Sequence, residues 1–193
     1  MLTNLNNEKM IYSINELKKM NFTNYKINKM VDQGSLKKLN RSYYENANYT
    51  GDFNDFVFVS AYIPKGVICL MSAASYYGLT TVRPIVVDMA IPNKGKVSTL
   101  PEWPVINLYY FGEVRYSEGI VKKKHSNDQF MIYEIEKTVV DIICFREKIG
   151  IEETKEILKN YLDKKERNIN LLLRYAKVLK CESVLRKYLE VLL

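Results

Sequence analysis

The residues best suited to catalysis are four charged side chains in the middle of the sequence. Asp88 is expected on a strand, and Glu134 and Glu136 stand just before Lys137. Carboxylates beside a lysine are groups with which metal-dependent nucleases hold a cation and activate water. These four residues do not have the usual nuclease spacing, which is an acidic residue, any residue and then a lysine. A nuclease is therefore the less favoured alternative, and we predict no catalytic residues.

The three cysteines and one histidine do not form a zinc motif. Cys69, Cys144 and Cys181 make no closely spaced pair, and their apolar neighbours predict buried free thiols in a reducing cytoplasm. His125 is the sole histidine, so no Cys/His cluster supplies three or four ligands. Gly-rich phosphate loops and Gly-x-Ser-x-Gly or His-Glu-x-x-His motifs are also missing. We expect no metal, no cofactor and no enzymatic activity.

The charge of the chain predicts a polyanionic partner. Its 29 Lys and Arg residues exceed its 22 Asp and Glu residues, giving a formal charge of +7. Residues 1–48 hold eight basic and four acidic groups (+4), residues 49–147 ten and eleven (−1), and residues 148–193 eleven and seven (+4). Basic excess at both ends favours nucleic acid over an anionic membrane surface.

Hydropathy gives no indication of a membrane protein. The longest apolar run, Val67–Met71, is far shorter than the roughly 20 residues that cross a bilayer. The polar, Asn-rich stretch Met1–Met10 has no apolar core of the kind that a signal peptide needs. We therefore expect a cytoplasmic protein with no membrane partner.

Two short helices are predicted near the start of the chain. Ser13 and Glu16 form a Ser-x-x-Glu capping box that opens the first helix. Thr23 can cap a second helix that runs to Gln33, and Gly34 follows where a left-handed glycine commonly ends a helix. Two short helices joined by a tight turn predict a helix-turn-helix.

A small basic hairpin is predicted to follow the second helix. Leu36–Leu39 alternates apolar and basic residues, Asn40–Ser42 is typical of a turn, and Tyr43-Tyr44 favours a strand. Helix, turn, helix and basic hairpin together predict a winged helix.

The second helix separates its side chains into two faces. Ile27, Met30 and Val31 recur at helical spacing and are predicted to face the core. We predict that the DNA-binding residues are those of the opposite face and its margins, with three more on the wing: Tyr25, Lys26, Asn28, Lys29, Gln33, Lys37, Lys38 and Arg41. Such residues suit phosphate contacts and base-edge hydrogen bonds in a major groove. The alternative is ordinary solvated surface, with Lys37 and Lys38 protecting a hairpin edge.

The rest of the chain predicts a separate mixed α/β domain. The small polar residues 46–52 predict a linker, so we expect domains at residues 1–48 and 49–193. Predicted elements then follow in this order: a helix near residues 53–63, a strand at 67–70, a helix capped by Ser72, strands at 83–91 and 105–111, a hairpin of 119–121 with 130–133, and a helix at 136–148. Three amphipathic helices complete an α+β chain.

Four segments, in this order, resemble the AbiEi antitoxin family of bacterial type IV abortive-infection toxin–antitoxin systems. They are SINELKKMNFTNYKINKMVDQGSLKKLNRSYYE, SAASYYGLTTVRP, EIEKTVVDII and the helical ending LRKYLEVLL. The resemblance implies a recognition helix at Asn24–Gln33 and a wing at Leu36–Tyr44. It also matches family motifs at Ser72–Thr80 and Glu136–Asp141. The wing departs from the family pattern, because Arg41-Ser42 stands where Arg-Gly is usual.

The resemblance implies a repressor that is also an antitoxin. Its N-terminal winged helix would bind inverted repeats in its own promoter, as a monomer in solution or a dimer on DNA. Its C-terminal domain would counter an AbiEii-like nucleotidyltransferase toxin in phage defence. The remaining alternative is a protein-interaction module whose winged helix binds a partner protein.

Overall fold

The computed structural model describes residues 5–192, without the side chains of residues 191 and 192. Met1–Asn4 and Leu193, at the ends of the two predicted domains, lie outside the described residues.

The chain is a mixed α+β protein, as expected. Its helices in the described part are α1 Ile14–Lys19, α2 Asn24–Asp32, α3 Asp55–Tyr62, α4 Leu70–Tyr76, α5 Glu113–Ser117, α6 Ile135–Cys144, α7 Arg146–Ile149, α8 Ile151–Leu162, α9 Ile169–Val178 and α10 Glu182–Leu192. Its strands there are β1 Ile11–Ser13, β2 Leu36–Lys38, β3 Tyr43–Asn46, β4 Val67–Ile68, β5 Val87–Pro92, β6 Ile106–Phe111, β7 Ile120–His125 and β8 Asp128–Tyr133.

The chain divides into two compact units. The first, here called the N-terminal unit, contains residues 1–65, 96–104 and 122–130. The second unit contains residues 66–95, 105–121 and 131–193. The predicted domains at 1–48 and 49–193 stay a prediction. The linker predicted at 46–52 needs one correction, because Asn46 is buried at the end of β3.

A three-stranded antiparallel sheet organises the first part of the N-terminal unit. Its order is β1-β3-β2, with Ile11 opposite Glu45 and Leu36 opposite Asn46. Helices α1 and α2 cover it through a small apolar core formed by Leu5, Tyr12, Leu17, Phe22, Ile27, Leu36 and Tyr44. This core holds both helices in fixed positions beside the β2–β3 hairpin.

Strands β4, β5 and β6 of the second unit belong to a five-stranded mixed sheet of order β6-β5-β4-β8-β7. Strand β4 is antiparallel to β5 and parallel to β8, and β5 is parallel to β6. Helix α6 packs against α4, α8, α9 and α10, and residues 136–143 within it are all buried. The burial explains why this helix is apolar on most of its surface.

Three predicted elements of the second unit need correction. The helix predicted at 136–148 is two helices, α6 and α7, separated at Phe145. The strand predicted at 67–70 ends at Ile68, because Leu70 has a φ of 44° and begins α4. Ser72 does not cap α4, because it is the third residue of the helix. Its hydroxyl accepts a hydrogen bond from the Asp88 N–H (2.9 Å).

The described residues contain no helix that is both long and apolar enough to span a membrane.

Candidate nucleic-acid interface

Helix α1 begins and ends as local sequence chemistry predicts. Ser13 is its N-cap, and the reciprocal bonds of a capping box join Ser13 to Glu16. Asn21 then adopts a left-handed φ of 63°, while the Phe22 N–H donates to the Leu17 carbonyl (3.0 Å). This is a Schellman ending, in which Asn takes the position that Gly usually holds. It turns the chain sharply and places the start of α2 beside α1.

Helix α2 also begins and ends at the residues that local sequence chemistry predicts. The Thr23 hydroxyl accepts from the Lys26 N–H (3.2 Å) and caps the helix. Gly34 has a φ of 74°, and the Ser35 N–H donates to the Met30 carbonyl (2.9 Å), which ends the helix in a second Schellman motif. The predicted caps at Ser13, Thr23 and Gly34 are confirmed.

The inner side of α2 packs into the core of the unit. Ile27 is buried, and Met30 and Val31 are half-buried against the same apolar cluster. The outer side therefore lies in solvent. Tyr25 is 78% exposed, and Asn28, Lys29 and Gln33 are exposed as well.

Lys26 lies at the margin of this outer face. Its side chain is half-buried, and its Nζ lies 4.4 Å from the centre of the Phe22 ring. A cation over an aromatic face is attracted by the negative potential of the ring. The ammonium group of Lys26 is therefore held close to the start of α2.

The basic residues of the β2–β3 hairpin, Lys37, Lys38 and Arg41, are all exposed. The Nζ of Lys37 lies 3.9 Å from a Glu45 carboxylate oxygen on the neighbouring strand. That oxygen, Oε2, is buried and has no hydrogen-bond partner. The ion pair thus draws Lys37 back toward the sheet, while Lys38 and Arg41 lie closer to the tip.

Asn40 fixes the turn of this hairpin. Its Oδ1 accepts from the N–H groups of Ser42 (2.9 Å) and Tyr43 (3.0 Å), and its Nδ2 donates to the Ala61 carbonyl (2.8 Å). Ser42 does not have a positive φ, so this turn does not need a glycine at that position. A groove of about 740 Å³ beside the turn is lined by Lys38, Arg41, Ser98 and Thr99, among others.

The N-terminal unit as a whole concentrates positive charge. It contains 13 Lys and Arg residues against 8 Asp and Glu residues, a net +5, whereas the second unit has 16 against 14, a net +2. Part of the excess comes from the β7–β8 hairpin, where Lys122 and Lys124 are exposed. The basic character predicted for residues 1–48 thus extends to residues far along the chain.

The carboxylates considered for nuclease chemistry serve as hydrogen-bond acceptors within the fold. Asp88 accepts from the Met71 N–H (3.2 Å) at the start of α4 and from the Asn107 side chain (3.1 Å). Burial raises the pKa of Asp88, although these hydrogen bonds act in the opposite direction.

The two glutamates of that set bond to other helices of the second unit. Glu136 accepts from the Tyr161 hydroxyl (3.1 Å) and the Asn168 N–H (3.2 Å), and Glu134 accepts from the Tyr175 hydroxyl. The described residues contain no group of three or more His, Cys, Asp and Glu side chains suited to a metal ion.

Sequence reasoning missed a buried charge cluster in the second unit. Lys137 and Asp141 form an ion pair one helical turn apart on α6, and neither side chain is exposed. Arg115 from α5 contacts the other carboxylate oxygen of Asp141. Burial lowers the pKa of Lys137 despite this pairing. The Lys-x-x-x-Asp spacing within an apolar helix was the available signal.

The chain was also compared with known proteins. No family model matches it, and no curated protein matches it.

Proposed function

We propose that the N-terminal residues act as a winged helix that binds double-stranded DNA. The observation that carries the proposal is the outer face of α2, where Tyr25, Asn28 and Lys29 are exposed opposite the buried Ile27. A helix that presents polar and basic side chains on a rigid support is suited to base edges and phosphates in the major groove. The exposed Lys38 and Arg41 of the β2–β3 hairpin would contact the backbone as the wing.

In this proposal the protein represses its own operon by binding inverted repeats in the promoter. Two copies would occupy half-sites separated by one helical turn, roughly 34 Å, or a multiple of it. The protein would be a monomer in solution and a dimer on this DNA. It would act in the cytoplasm without catalysis.

We further propose that the second unit acts as an antitoxin. The support is the resemblance of residues 72–80 and 136–141 to the AbiEi family, which counters nucleotidyltransferase-like toxins. Ser72, Lys137 and Asp141 are buried, so these three motif residues contribute to the fold of the unit and are not accessible to a partner. The antagonism is therefore proposed for the unit as a whole.

The DNA proposal is tested by binding to the promoter region upstream of the gene. A Lys26→Ala/Lys29→Ala variant removes two charges from the outer face of α2. The matched control, Lys165→Ala/Lys177→Ala, removes two exposed charges from the second unit. We expect the first variant to bind at least tenfold more weakly in a fluorescence-anisotropy titration, and the control to bind like the wild type. Equal affinity for the first variant and the wild type would exclude this surface.

The antitoxin proposal needs its own measurement. Co-expression of the chain with a toxin encoded beside it should restore growth. The Lys26→Ala/Lys29→Ala variant should restore growth as well, because the toxin is countered by the second unit. If growth is not restored by the wild type, the antitoxin proposal fails while the DNA proposal stands.

A protein partner is the second candidate for the same surface. Tyr25 is 78% exposed at the centre of the outer face, and tyrosine is enriched in protein interfaces. Salt distinguishes the two candidates. Retention on immobilised DNA that falls steeply with salt supports DNA binding, since release of counterions dominates that affinity.

A further inference from the structure

Two of the three cysteines lie together in the second unit, although 37 positions separate them in the sequence. Cys144 is the last residue of α6, and Cys181 directly precedes α10. The Sγ of Cys181 lies 3.9 Å from the Val140 carbonyl oxygen. In a helix that carbonyl accepts from the N–H four residues later, which is that of Cys144. The Cys181 sulfur is therefore beside the last turn of α6, the turn that ends at Cys144.

The surroundings of these two thiols are unequal. Cys144 is half-buried, whereas Cys181 is buried. The Arg115 guanidinium is held in place by Asp141 and by the ring of Phe145, the residue after Cys144, whose centre lies 5.3 Å away. The neighbouring Cys181 thiol, together with the positive charge of Arg115, lowers the pKa of Cys144 to about 7. The neighbouring Cys144 and burial raise the pKa of Cys181.

We propose that Cys144 and Cys181 are a redox-active dithiol that a hydroperoxide converts into an intramolecular disulfide. Cys144 is the attacking thiolate, because it is the accessible one and Arg115 stabilises its negative charge. Cys181 is the resolving thiol. Cys69 takes no part, because it is fully buried and burial raises its pKa.

The chemistry balances with hydrogen peroxide as the oxidant. The Cys144 thiolate attacks one peroxide oxygen, the O–O bond breaks, and the departing hydroxide takes up a proton to become water. The sulfenic acid at Cys144 is then attacked by the Cys181 sulfur, which forms the S–S bond and breaks the S–O bond. The hydroxyl group leaves as a second water with the proton of the Cys181 thiol. The two thiols lose two electrons, and the peroxide gains them.

The disulfide would connect the end of α6 to the start of α10 and enclose α7, α8 and α9 in a covalent loop. A cross-link of this kind restricts the unfolded chain. We expect oxidation to raise the midpoint of thermal unfolding and to slow amide exchange in α10. Thioredoxin or dithiothreitol should reverse both changes.

The test uses the full reduced chain treated with hydrogen peroxide at pH 7. The expected product has one free thiol, at Cys69, and an intact mass lower by about 2 Da, the two hydrogens lost on forming one disulfide. Cys144→Ser should prevent the reaction. Cys181→Ser should leave a sulfenic acid at Cys144 that dimedone captures. Cys69→Ser, the matched control, should form the disulfide like the wild type.

A second measurement requires no variant. Iodoacetamide applied to the native protein at pH 7 should modify Cys144 before the other two cysteines, with a pH profile centred near the pKa of about 7. Three free thiols after peroxide treatment would overturn the proposal. So would a disulfide between molecules, a disulfide that includes Cys69, or alkylation of Cys144 that begins only near pH 9.

Discussion

The carboxylate of Asp128 accepts a hydrogen bond of 2.6 Å from the backbone N–H of Met10, which lies 118 residues earlier in the chain. The same carboxylate accepts from the Ile11 N–H (3.3 Å), and Lys9 Nζ lies 3.4 Å from it. Asp128 and Met10 are both buried. The start of β1 is thus attached to the β7–β8 hairpin, and the N-terminal unit depends on this distant residue.

Replacing Asp128 should destabilise that unit. Asp128→Ala leaves two buried N–H groups without their acceptor, so we expect a loss of about 1–3 kcal/mol in the free energy of unfolding. Urea unfolding measures the loss, and hydrogen exchange should be faster at Met10 and Ile11. Gln129→Ala, at an exposed neighbouring position, is the control and should leave stability nearly unchanged. Unaltered exchange at Met10 in Asp128→Ala would contradict the role of this contact.

Glu16 should make the stability of the N-terminal unit depend on pH. Partial burial by itself raises the pKa of Glu16, but hydrogen bonds from Ser13 and the charge of Lys9 together lower it below the ordinary 4.5. Since the folded-state pKa is depressed, the stabilisation is present above pH 4.5 and is lost as the pH falls through the folded-state value. Glu16→Gln should remove the part of the stability that is lost in acid. It keeps a side chain that can complete the capping box. Thermal unfolding between pH 3 and 6 compares the two proteins.

The hairpin turn should depend on Asn40 and not on Ser42. Asn40→Ala removes the acceptor of two N–H groups and the donor to the Ala61 carbonyl. We expect a loss of about 1–3 kcal/mol in the free energy of unfolding and weaker DNA binding through Lys38 and Arg41. Ser42→Gly should change stability by less than about 1 kcal/mol, because no positive φ is required there. A large gain from Ser42→Gly would contradict this account of the turn.

The ion pair of Lys37 with Glu45 allows a test of whether the wing contacts DNA through Lys37. Glu45→Gln removes the negative charge 3.9 Å from Lys37 Nζ and should release Lys37 toward DNA phosphate. We expect binding to tighten a few-fold. Lys37→Ala should weaken binding and reduce the slope of log K against log salt by about 0.9, the value for one phosphate contact. In the double variant the gain from Glu45→Gln should shrink, and an undiminished gain would show that Lys37 does not contact DNA.

In the buried charge cluster, replacing Asp141 should lower the free energy of unfolding more than replacing Lys137. Asp141→Ala leaves Lys137 and Arg115 without their shared carboxylate, and breaking a buried pair in this way costs about 3–5 kcal/mol. Lys137→Met should cost less, because Asp141 keeps Arg115 and the apolar side chain suits the surrounding Phe111 and Tyr133 rings. Chemical unfolding of both variants measures the two losses in the free energy of unfolding. A larger loss for Lys137→Met would contradict the central role of Asp141.

The sequence by itself determined the features that depend on residues a few positions apart. The capping box of Ser13 and Glu16, the Thr23 cap and the left-handed Gly34 are contacts within one helical turn, so local chemistry specifies them. The same holds for the inner and outer faces of α2, because helical periodicity alone separates Ile27 from Tyr25. Whether the outer face binds DNA stays a prediction.

Tertiary structure alone decided which distant residues meet. Periodicity predicts that a side chain is buried but does not identify its partner, so Asp128 with Met10 could not be foreseen. Lys137 is ordinarily a surface residue type, and it is stable inside the fold only because Asp141 and two aromatic rings surround it. In the sequence Cys144 and Cys181 are two unrelated thiols, since Cys181 lies beside the last turn of α6 only after α7, α8 and α9 return the chain there. Contacts of this kind depend on topology, which short-range patterns do not contain.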